Sequence, residues 1–243
     1  MIRERHVRWR QSCYAAAMAS HPLDRPIWNA LNGRHRDLAH GGPLACRYLP
    51  DISPFAAACD ASPESQAALA QLISPDCIVA LLEAGEIAIP EGTVLEKRAT
   101  GVQMVARNLQ PAEIDERVRP LGDADAPDML ALATLTEPGP FLASTHRFGG
   151  FIGIRENGRL AAMAGERIKP DGFTEVSGVC THPDFRGKGY AGLLSRIVAT
   201  RIEARGETPF LHAYADNTGA IRLYESLGFA IRCDVTVLVL RGA

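Results

Sequence analysis

Three closely spaced glycines, Gly187, Gly189 and Gly192, follow the apolar segment 176–181 and are the clearest candidates for chemistry. The apolar residues after them recur at helical spacing, so the pattern predicts a buried strand, a glycine-rich bend and a helix. The first N–H groups of a helix lack intrahelical acceptors and lie at the positive end of the helix dipole. We therefore expect the bend to bind a phosphate group.

The same glycines match the G-x-G-x-x-G pattern of dinucleotide-binding folds. In those folds the glycines follow directly on the first strand, whereas residues 183–186 intervene here. A doubly wound sheet also needs further strand–helix units, but only roughly 50 residues follow Gly192. They are predicted to hold one strand, one helix and a final strand, so the topology disfavours a dinucleotide.

Antiparallel strands are predicted before the bend. Asn157-Gly158 is a strong signal for a type I′ hairpin, because such a turn needs positive φ at both central residues. We expect it to join the first two strands of a three-stranded meander. The predicted elements here are a strand over 118–121, a helix capped by Asp125, and strands over 151–155, 160–168 and 174–181.

After the bend, the sequence predicts a parallel strand pair. The predicted elements are a helix ending at Gly206, a strand over 209–214, a helix capped by Asp216 or Asn217, and a strand over 229–240. Because a helix connects strand 174–181 to strand 209–214, these two strands should be parallel.

The first half of the chain contains no motif with recognisable chemistry. Its predicted elements are helices over 1–20, 23–38 and 62–73, and strands over 77–83, 87–97 and 101–107. A charged stretch with a proline, 108–116, is typical of a linker. We therefore predict an N-terminal α+β companion domain over residues 1–110 and a second domain over residues 117–243.

Composition argues against several classes of partner. The 243 residues are 47% hydrophobic with a formal net charge of −2, so no nucleic-acid partner is expected. No run of about 18 apolar residues predicts a membrane span. The six cysteines include no C-x-x-C pair, and no histidine pair has metal-ligand spacing. This pattern indicates a reduced, cytoplasmic protein without a metal.

Two separated sequence blocks connect the chain to a known family. Arg186, Gly189 and Ala191 form the pattern R-x-x-G-x-A, and the block N-T-G-A-I-R-L-Y-E-S-L-G-F runs from Asn217 to Phe229. With the preceding strands, the chain resembles the GNAT superfamily of N-acetyltransferases over residues 118–240, about half its length. The resemblance implies an α+β (mixed α/β) fold, with a mostly antiparallel sheet splayed at its parallel strand pair and flanked by helices.

The resemblance also implies acetyl-CoA as co-substrate. Its pyrophosphate would bind main-chain amides of the bend, and its pantetheine arm would pair with the end of the preceding strand. Lys188 either adds charge at the rim or is a solvated lysine, whereas Asn217 is expected to cap its helix and contact the coenzyme. The expected cofactor-binding residues are Val179, Cys180, Thr181, Arg186, Gly187, Lys188, Gly189, Tyr190, Ala191, Gly192 and Asn217.

Tyr224 is the candidate general acid. It lies seven residues after Asn217, so the two share one face of the predicted helix. Tyr224 is either a core residue or, as the resemblance implies, the group that protonates the departing thiolate. The unperturbed pKa values of a phenol and a thiol differ by only about 1.5 units.

A general base is less clearly marked. Glu166 and Glu175 lie at strand ends near the bend, and each is a candidate to accept the amine proton; the resemblance implies this role for a glutamate on the strand that Glu175 begins. His182 and His212 are also near in sequence, and Ser177 is placed to order a water. An amine that loses its proton to solvent before binding needs no base.

Together these features predict acetyl transfer from acetyl-CoA to a primary amine of a small molecule or peptide, by direct attack in a ternary complex. A main-chain N–H of Val179 or a neighbour would hold the oxyanion. A non-catalytic acyl-CoA-binding module is the alternative, and it would not need Tyr224. The N-terminal domain is expected either to cover the acceptor side or to pair two chains as a homodimer.

Overall fold

The computed structural model describes residues 21–112 and 115–243; the helix predicted over residues 1–20 lies outside them. The described N-terminal elements are α1 (Pro26–Leu31), β1 (Ala39–Gly41), β2 (Ala45–Tyr48), β3 (Ala56–Ala58), α2 (Pro63–Gln71), β4 (Ile78–Glu83) and β5 (Thr93–Ala106). The described C-terminal elements are β6 (Val118–Pro120), α3 (Ala126–Thr136), β7 (Ile152–Glu156), β8 (Arg159–Glu166), β9 (Phe173–Thr181), α4 (Tyr190–Glu203), β10 (Thr208–Tyr214), α5 (Thr218–Ser226) and β11 (Phe229–Gly242).

Local sequence signals explain several of these boundaries. Asn157 and Gly158 have φ of 51° and 79°, as a type I′ hairpin between β7 and β8 requires. The predicted strands over 87–97 and 101–107 are instead one strand, β5. Gly101 lies inside this strand. A Cβ there would be 2.9 Å from the carbonyl oxygen of Ala213, so this glycine allows β5 and β10 to approach closely and does not end a strand.

Eight strands form one sheet in the order β4-β11-β5-β10-β9-β8-β7-β6, and β1, β2 and β3 form a separate small sheet. In the large sheet, β9 and β10 are parallel, and the other neighbouring pairs are antiparallel. The predicted mixed, mostly antiparallel sheet flanked by helices is therefore confirmed. No helix in the described part of the chain combines the length and apolar character needed to cross a bilayer.

The parallel pair separates after three registered residues. Its last registered pair is Phe210 with Glu175. Beyond it, β9 continues to Thr181 on one side, while β10 continues to Tyr214 and pairs only with β5. The expected splay is thus present, and it leaves a gap between the second halves of β9 and β10.

The large sheet crosses the boundary predicted between residues 110 and 117. β5 lies between β10 and β11, with registered pairs that include Phe210 with Val105 and Val235 with Gly101. β4 pairs with the other edge of β11. The N-terminal segment therefore supplies two strands of the sheet that carries the bend. The division into two domains stays a prediction.

Apolar cores cover both faces of the large sheet. Leu211 belongs to a core with residues of α4, whereas its neighbour Phe210 belongs to a core with residues of α1 and the small sheet. Adjacent strand residues point to opposite faces, so α4 and the N-terminal segment lie on opposite sides of the gap. Each fully buried Leu or Phe side chain contributes about 1.5–3 kcal/mol of hydrophobic stabilisation.

Candidate active site

The glycine bend joins β9 to α4. Gly187 and Gly189 have φ of 80° and 76°, in the left-handed region that favours glycine. A Cβ on either residue would meet nothing within 4 Å, so the backbone here faces open space. The Leu193 N–H bonds to the carbonyl of Gly189 at 3.1 Å. The N–H groups of Tyr190, Ala191 and Gly192 precede this first helical hydrogen bond, so helix geometry leaves them free to bind an anion.

Lys188 is tied to a carboxylate at the rim of the bend. Its Nζ lies 2.6 Å from the carboxylate of Glu156 at the end of β7. The hydroxyl of Tyr190 also donates to Glu156. Hydrogen bonds from Lys188 and Tyr190 lower the pKa of Glu156 despite the opposing effect of desolvation. Lys188 is therefore exposed but charge-paired, while Arg186 is exposed beside it.

A β-bulge interrupts β9 where it faces the gap. The register between β8 and β9 moves from Met163–Cys180 to Gly165–Ser177, so Gly178 and Val179 together oppose Ala164. Gly178 has φ of 62°. A Cβ there would also lie 2.9 Å from Cε1 of Phe151. A bulge takes main-chain groups out of the regular ladder, which is the geometry expected of an oxyanion-binding N–H near Val179.

The side chains of the last three residues of β9, Val179, Cys180 and Thr181, have different surroundings. Cys180 is buried in a core with residues of α3, and desolvation raises its pKa to about 11, so its thiol is protonated at neutral pH. Oγ1 of Thr181 is buried and has no hydrogen-bond partner among the described residues. Val179 packs against the core under α4.

Asn217 and Tyr224 lie on α5. Oδ1 of Asn217 accepts a hydrogen bond from the Ala220 N–H at 3.1 Å, so the capping role is confirmed. Tyr224 is half-buried against Phe229, with ring centroids 6.1 Å apart. Desolvation, followed by the negative charge of Glu175, raises the pKa of Tyr224 to about 12. The phenol is therefore protonated at neutral pH.

Glu175 lies fully buried at the base of the gap. Its carboxylate accepts bonds from Nε and Nη2 of Arg167 at 2.8 and 2.9 Å. Nδ1 of His212 on β10 lies 2.8 Å from the same carboxylate. Burial alone would raise the pKa of Glu175, but the Arg167 charge and these hydrogen bonds outweigh it and lower the pKa to about 2. A carboxylate in this state is a weak base.

The network continues across β5 and β11. Oε1 of Gln103 accepts from Nη1 of Arg232 at 2.8 Å, which orients the amide so that Nε2 faces His212 at 3.0 Å. Because Nε2 of Gln103 is a donor, we assign the His212 tautomer with its proton on Nδ1, donated to Glu175. Arg232 also pairs with Asp24. A chain of polar contacts, half-buried at Asp24 and Arg232 and buried at Gln103 and Glu175, therefore runs from the N-terminal segment to the base of the gap.

Glu166 is engaged by two cations. Its carboxylate oxygens lie 2.8 Å from Nζ of Lys169 and 2.8 Å from Nη2 of Arg205. The residue is buried. Neither oxygen of Glu166 is without a partner.

A small pocket adjoins the bulge on the side away from α4. Its lining includes a loop before β7, the residue after β8 and the bulge itself. The lining residues are Pro138, Gly139, Pro140, Phe141, Thr145, Phe151, Arg167, Ser177 and Gly178. Thr145 Oγ1 donates to the carbonyl of Ile52 at 2.6 Å, so the N-terminal segment holds the loop in place.

Arg167 and Gln103 were not among the residues selected from the sequence. Gln103 had a usable signal, since it is a polar residue inside the apolar strand V-Q-M-V-A, and a buried polar side chain needs a partner. Arg167 lies at the end of the predicted strand 160–168 and resembles an ordinary exposed arginine at a strand end. Only the tertiary contact with Glu175 distinguishes it.

Comparisons with known proteins agree with this geometry. The family model described as FR47-like protein matches residues 151–239. A crystal structure from Novosphingobium aromaticivorans DSM 12444, assigned to the GNAT family of acetyltransferases, is 46% identical, with a TM-score of 0.87 over 92% of this chain and 100% of that one. A GCN5-related N-acetyltransferase from Kribbella flavida is 20% identical with a TM-score of 0.62, over 92% of this chain and 96% of that one; it shows the fold alone.

Curated relatives match a shorter segment. Ribosomal protein bS18-alanine N-acetyltransferase from Escherichia coli K12 is 35% identical over 77 residues, which is 31% of this chain and 51% of that protein. Mycothiol acetyltransferase from Saccharopolyspora erythraea is 33% identical over 90 residues, 37% of this chain and 29% of that protein. The chain thus spans about half the length of the first of these relatives. Because the Novosphingobium protein is similar over its whole length, this chain belongs to the GNAT family.

Proposed function

We propose that the protein transfers an acetyl group from acetyl-CoA to a primary amine by direct attack in a ternary complex. The observation that carries the proposal is the conjunction of an unpaired stretch of β9, a bulge within it, and a glycine bend that opens α4. A thioester arm lying in that gap would bring its carbonyl to the bulge and its phosphates to the bend.

The residues present fit coenzyme A. The open φ-positive backbone at Gly187 and Gly189 suits a pyrophosphate, with further N–H groups from Tyr190, Ala191 and Gly192. The unpartnered Oγ1 of Thr181 offers a polar group to the amide-containing arm. The Asn217 side chain keeps its amide nitrogen for the coenzyme while its oxygen caps α5.

Attack forms a C–N bond to the acetyl carbon, and collapse of the intermediate breaks the C–S bond. The main-chain N–H at Val179 stabilises the oxyanion. The Tyr224 phenol, with a pKa of about 12, is a weaker acid than a thiol, whose ordinary pKa is about 8.5. Tyr224 therefore stabilises the leaving thiolate mainly by donating a hydrogen bond as negative charge develops on sulfur.

Neither Glu166 nor Glu175 has the free carboxylate that a general base needs. Each remains a sequence-based candidate, but the ion pairs around both favour positioning roles. We propose that the amine reaches the site neutral or loses its proton to solvent. Ser177 lines the acceptor pocket and is placed to order the water that takes this proton.

The acceptor is proposed to enter from the face opposite α4, where the N-terminal segment closes the site. The names of two relatives differ: one names the alanine of ribosomal protein bS18, and the other names mycothiol. Both are compatible with an amine of a peptide or small molecule.

Thiol release from acetyl-CoA, measured over a panel of amines, amino acids and peptides, tests the proposal. Amine-dependent release with formation of the acetylated amine is expected. The engaged state of both glutamates favours one alternative, a non-catalytic acyl-CoA-binding module. Calorimetric binding of acetyl-CoA without turnover on any amine would support that module and overturn the enzymatic proposal.

A further inference from the structure

Arg167 has one donor group that its ion pair does not use. Nε and Nη2 bind Glu175 at 2.8 and 2.9 Å, whereas no hydrogen bond is recorded for Nη1 among the described residues. Nη1 is also the atom nearest to a Cβ built on Gly139, at 3.9 Å. Gly139 and Arg167 both line the small pocket beside the bulge, so this donor faces the pocket.

The guanidinium is held rigidly. Its plane is set by the two bonds to Glu175, and its Cζ lies 5.1 Å from the ring centroid of Phe55. His212 bonds Oε1 of the same carboxylate, the oxygen that also accepts from Nη2 of Arg167. The side chain of Arg167 is only 10% exposed. A fixed donor loses little conformational entropy when a ligand binds.

The pocket is also placed beside the proposed reaction centre. Ser177 and Gly178 belong both to its lining and to the segment that precedes Val179. The remaining walls are mainly proline and phenylalanine, whose side chains carry no hydrogen-bond acceptor. If one group of the acceptor molecule occupies this pocket, the amine nitrogen of the same molecule therefore lies near the bulge.

We propose that Nη1 of Arg167 binds a carbonyl oxygen of the acceptor, and that the acceptor is an α-amino acyl compound: a free amino acid or a peptide N-terminus. This inference rests on the proposed acetyl transfer. In a free amino acid and in a peptide N-terminus alike, the carbonyl oxygen lies on the carbon next to the one that carries the amine. The pocket is too small for a long side chain and takes only such a group and its nearest atoms.

Charge decides what kind of oxygen fits. Glu175 already balances the positive charge of Arg167, so the pocket does not require a full negative charge. A neutral amide oxygen can accept the hydrogen bond, as can a carboxylate. Amines without a carbonyl would leave this buried donor unsatisfied, which carries a desolvation cost.

The test compares α-amino acids, their amides, short peptides and the amines obtained by removing the carboxyl group. For each compound, kcat/KM is measured by thiol release, and binding is measured by calorimetry in the presence of coenzyme A. The wild-type protein is expected to favour carbonyl-bearing compounds over the decarboxylated amines by about 10-fold or more. Preference for acids over peptides would identify free amino acids as the source, and the reverse would identify polypeptide N-termini.

Arg167→Lys is the informative variant. Its single ammonium can pair with Glu175 but cannot also present a fixed donor to the pocket, so the preference should fall to about one. Arg167→Gln should do the same, and thermal unfolding will show whether it folds. Arg155→Gln is the control for loss of an ion-paired arginine, because Arg155 pairs with Asp125 and Asp128 but lies outside the pocket.

The outcomes separate the two proposals. Turnover of decarboxylated amines as fast as amino acids and amides, or a preference that survives in Arg167→Lys, would overturn the role of Arg167 while leaving acetyl transfer intact. Carbonyl-dependent binding that Arg167→Lys abolishes, without turnover of any compound, would support the pocket and overturn acetyl transfer. Absence of both binding preference and turnover would overturn both.

Discussion

Glu175 and Arg167 form a buried bidentate ion pair at the point where β9 and β10 separate, with N–O distances of 2.8 and 2.9 Å. The backbone reinforces it, because the Arg167 N–H donates to the Glu175 carbonyl at 3.0 Å. The pair thus holds the base of the gap while one guanidinium nitrogen remains for the acceptor side. Glu175, which the sequence suggests as a base, is placed by these contacts to orient Arg167.

Removing the Glu175 charge should destabilise the protein. Glu175→Gln leaves Arg167 buried without its counter-ion, and breaking such a pair typically costs about 3–5 kcal/mol. We expect the free energy of unfolding at pH 7, measured by urea denaturation, to fall by this order. Glu225→Gln, on the exposed side of α5, is the control and should change it by less than about 0.5 kcal/mol. Equal stability of Glu175→Gln and wild type would contradict the prediction.

The same pair predicts a pH dependence of stability. The folded-state pKa of Glu175, about 2, is lower than its ordinary value of 4.5, so its ionised form is stabilised by folding. Its contribution is therefore complete above about pH 4.5 and is lost as the pH falls towards 2. The difference in unfolding free energy between wild type and Glu175→Gln should shrink across this interval. A difference that stays constant from pH 5 to pH 2.5 would show that the carboxylate is not the source.

Tyr224→Phe should lower kcat while leaving the fold intact. A hydrogen bond to a charged group contributes about 1.5–3 kcal/mol, so loss of the bond to the developing thiolate should lower kcat by about 10- to 150-fold with little change in KM for acetyl-CoA. Because the pKa of Tyr224 is raised to about 12, its deprotonation should cause no fall in wild-type activity between pH 8 and pH 10. Turnover that is unchanged in Tyr224→Phe would remove its assigned role, and Glu225→Gln again controls for changes to α5.

Gly189→Ala should weaken coenzyme A binding more than its strain alone explains. Gly189 and Gly92 both have φ of 76° and both have open space where a Cβ would lie. An alanine at either position should cost about 1–2 kcal/mol of stability. Only Gly189→Ala should raise the calorimetric Kd for coenzyme A, by about 10-fold or more. Equal Kd values for the two variants would place the phosphates elsewhere.

Lys188 and Glu156 should have opposite effects on coenzyme A affinity. Glu156 holds the Lys188 ammonium at 2.6 Å, so Glu156→Gln should free positive charge at the bend and lower Kd. Lys188→Ala should raise Kd. Since exposed ion pairs are weak and screened by solvent, each change should be only about two- to fivefold and should diminish in high salt. No effect of either variant would indicate that Lys188 is only a solvated lysine.

Local signals in the sequence predicted much of the second half of the fold. The hairpin at Asn157-Gly158 and the cap at Asn217 depend on residues within a few positions of each other, and both are present. The parallel orientation of β9 and β10 followed from the helix between them. The length of β5 was predicted wrongly, because Gly101 marks a close contact with Ala213 that is distant in sequence.

The sequence by itself determined the bend, its helix and the family resemblance, because these depend on short-range φ preferences, capping groups and apolar spacing. Only the tertiary structure placed β5 between β10 and β11, since strand order is decided by pairing between distant segments. It also decided that Glu175 binds Arg167 and His212 rather than standing free. Partners that come together only when the sheet forms determine whether a carboxylate acts as a base or as a support, and its residue type alone does not.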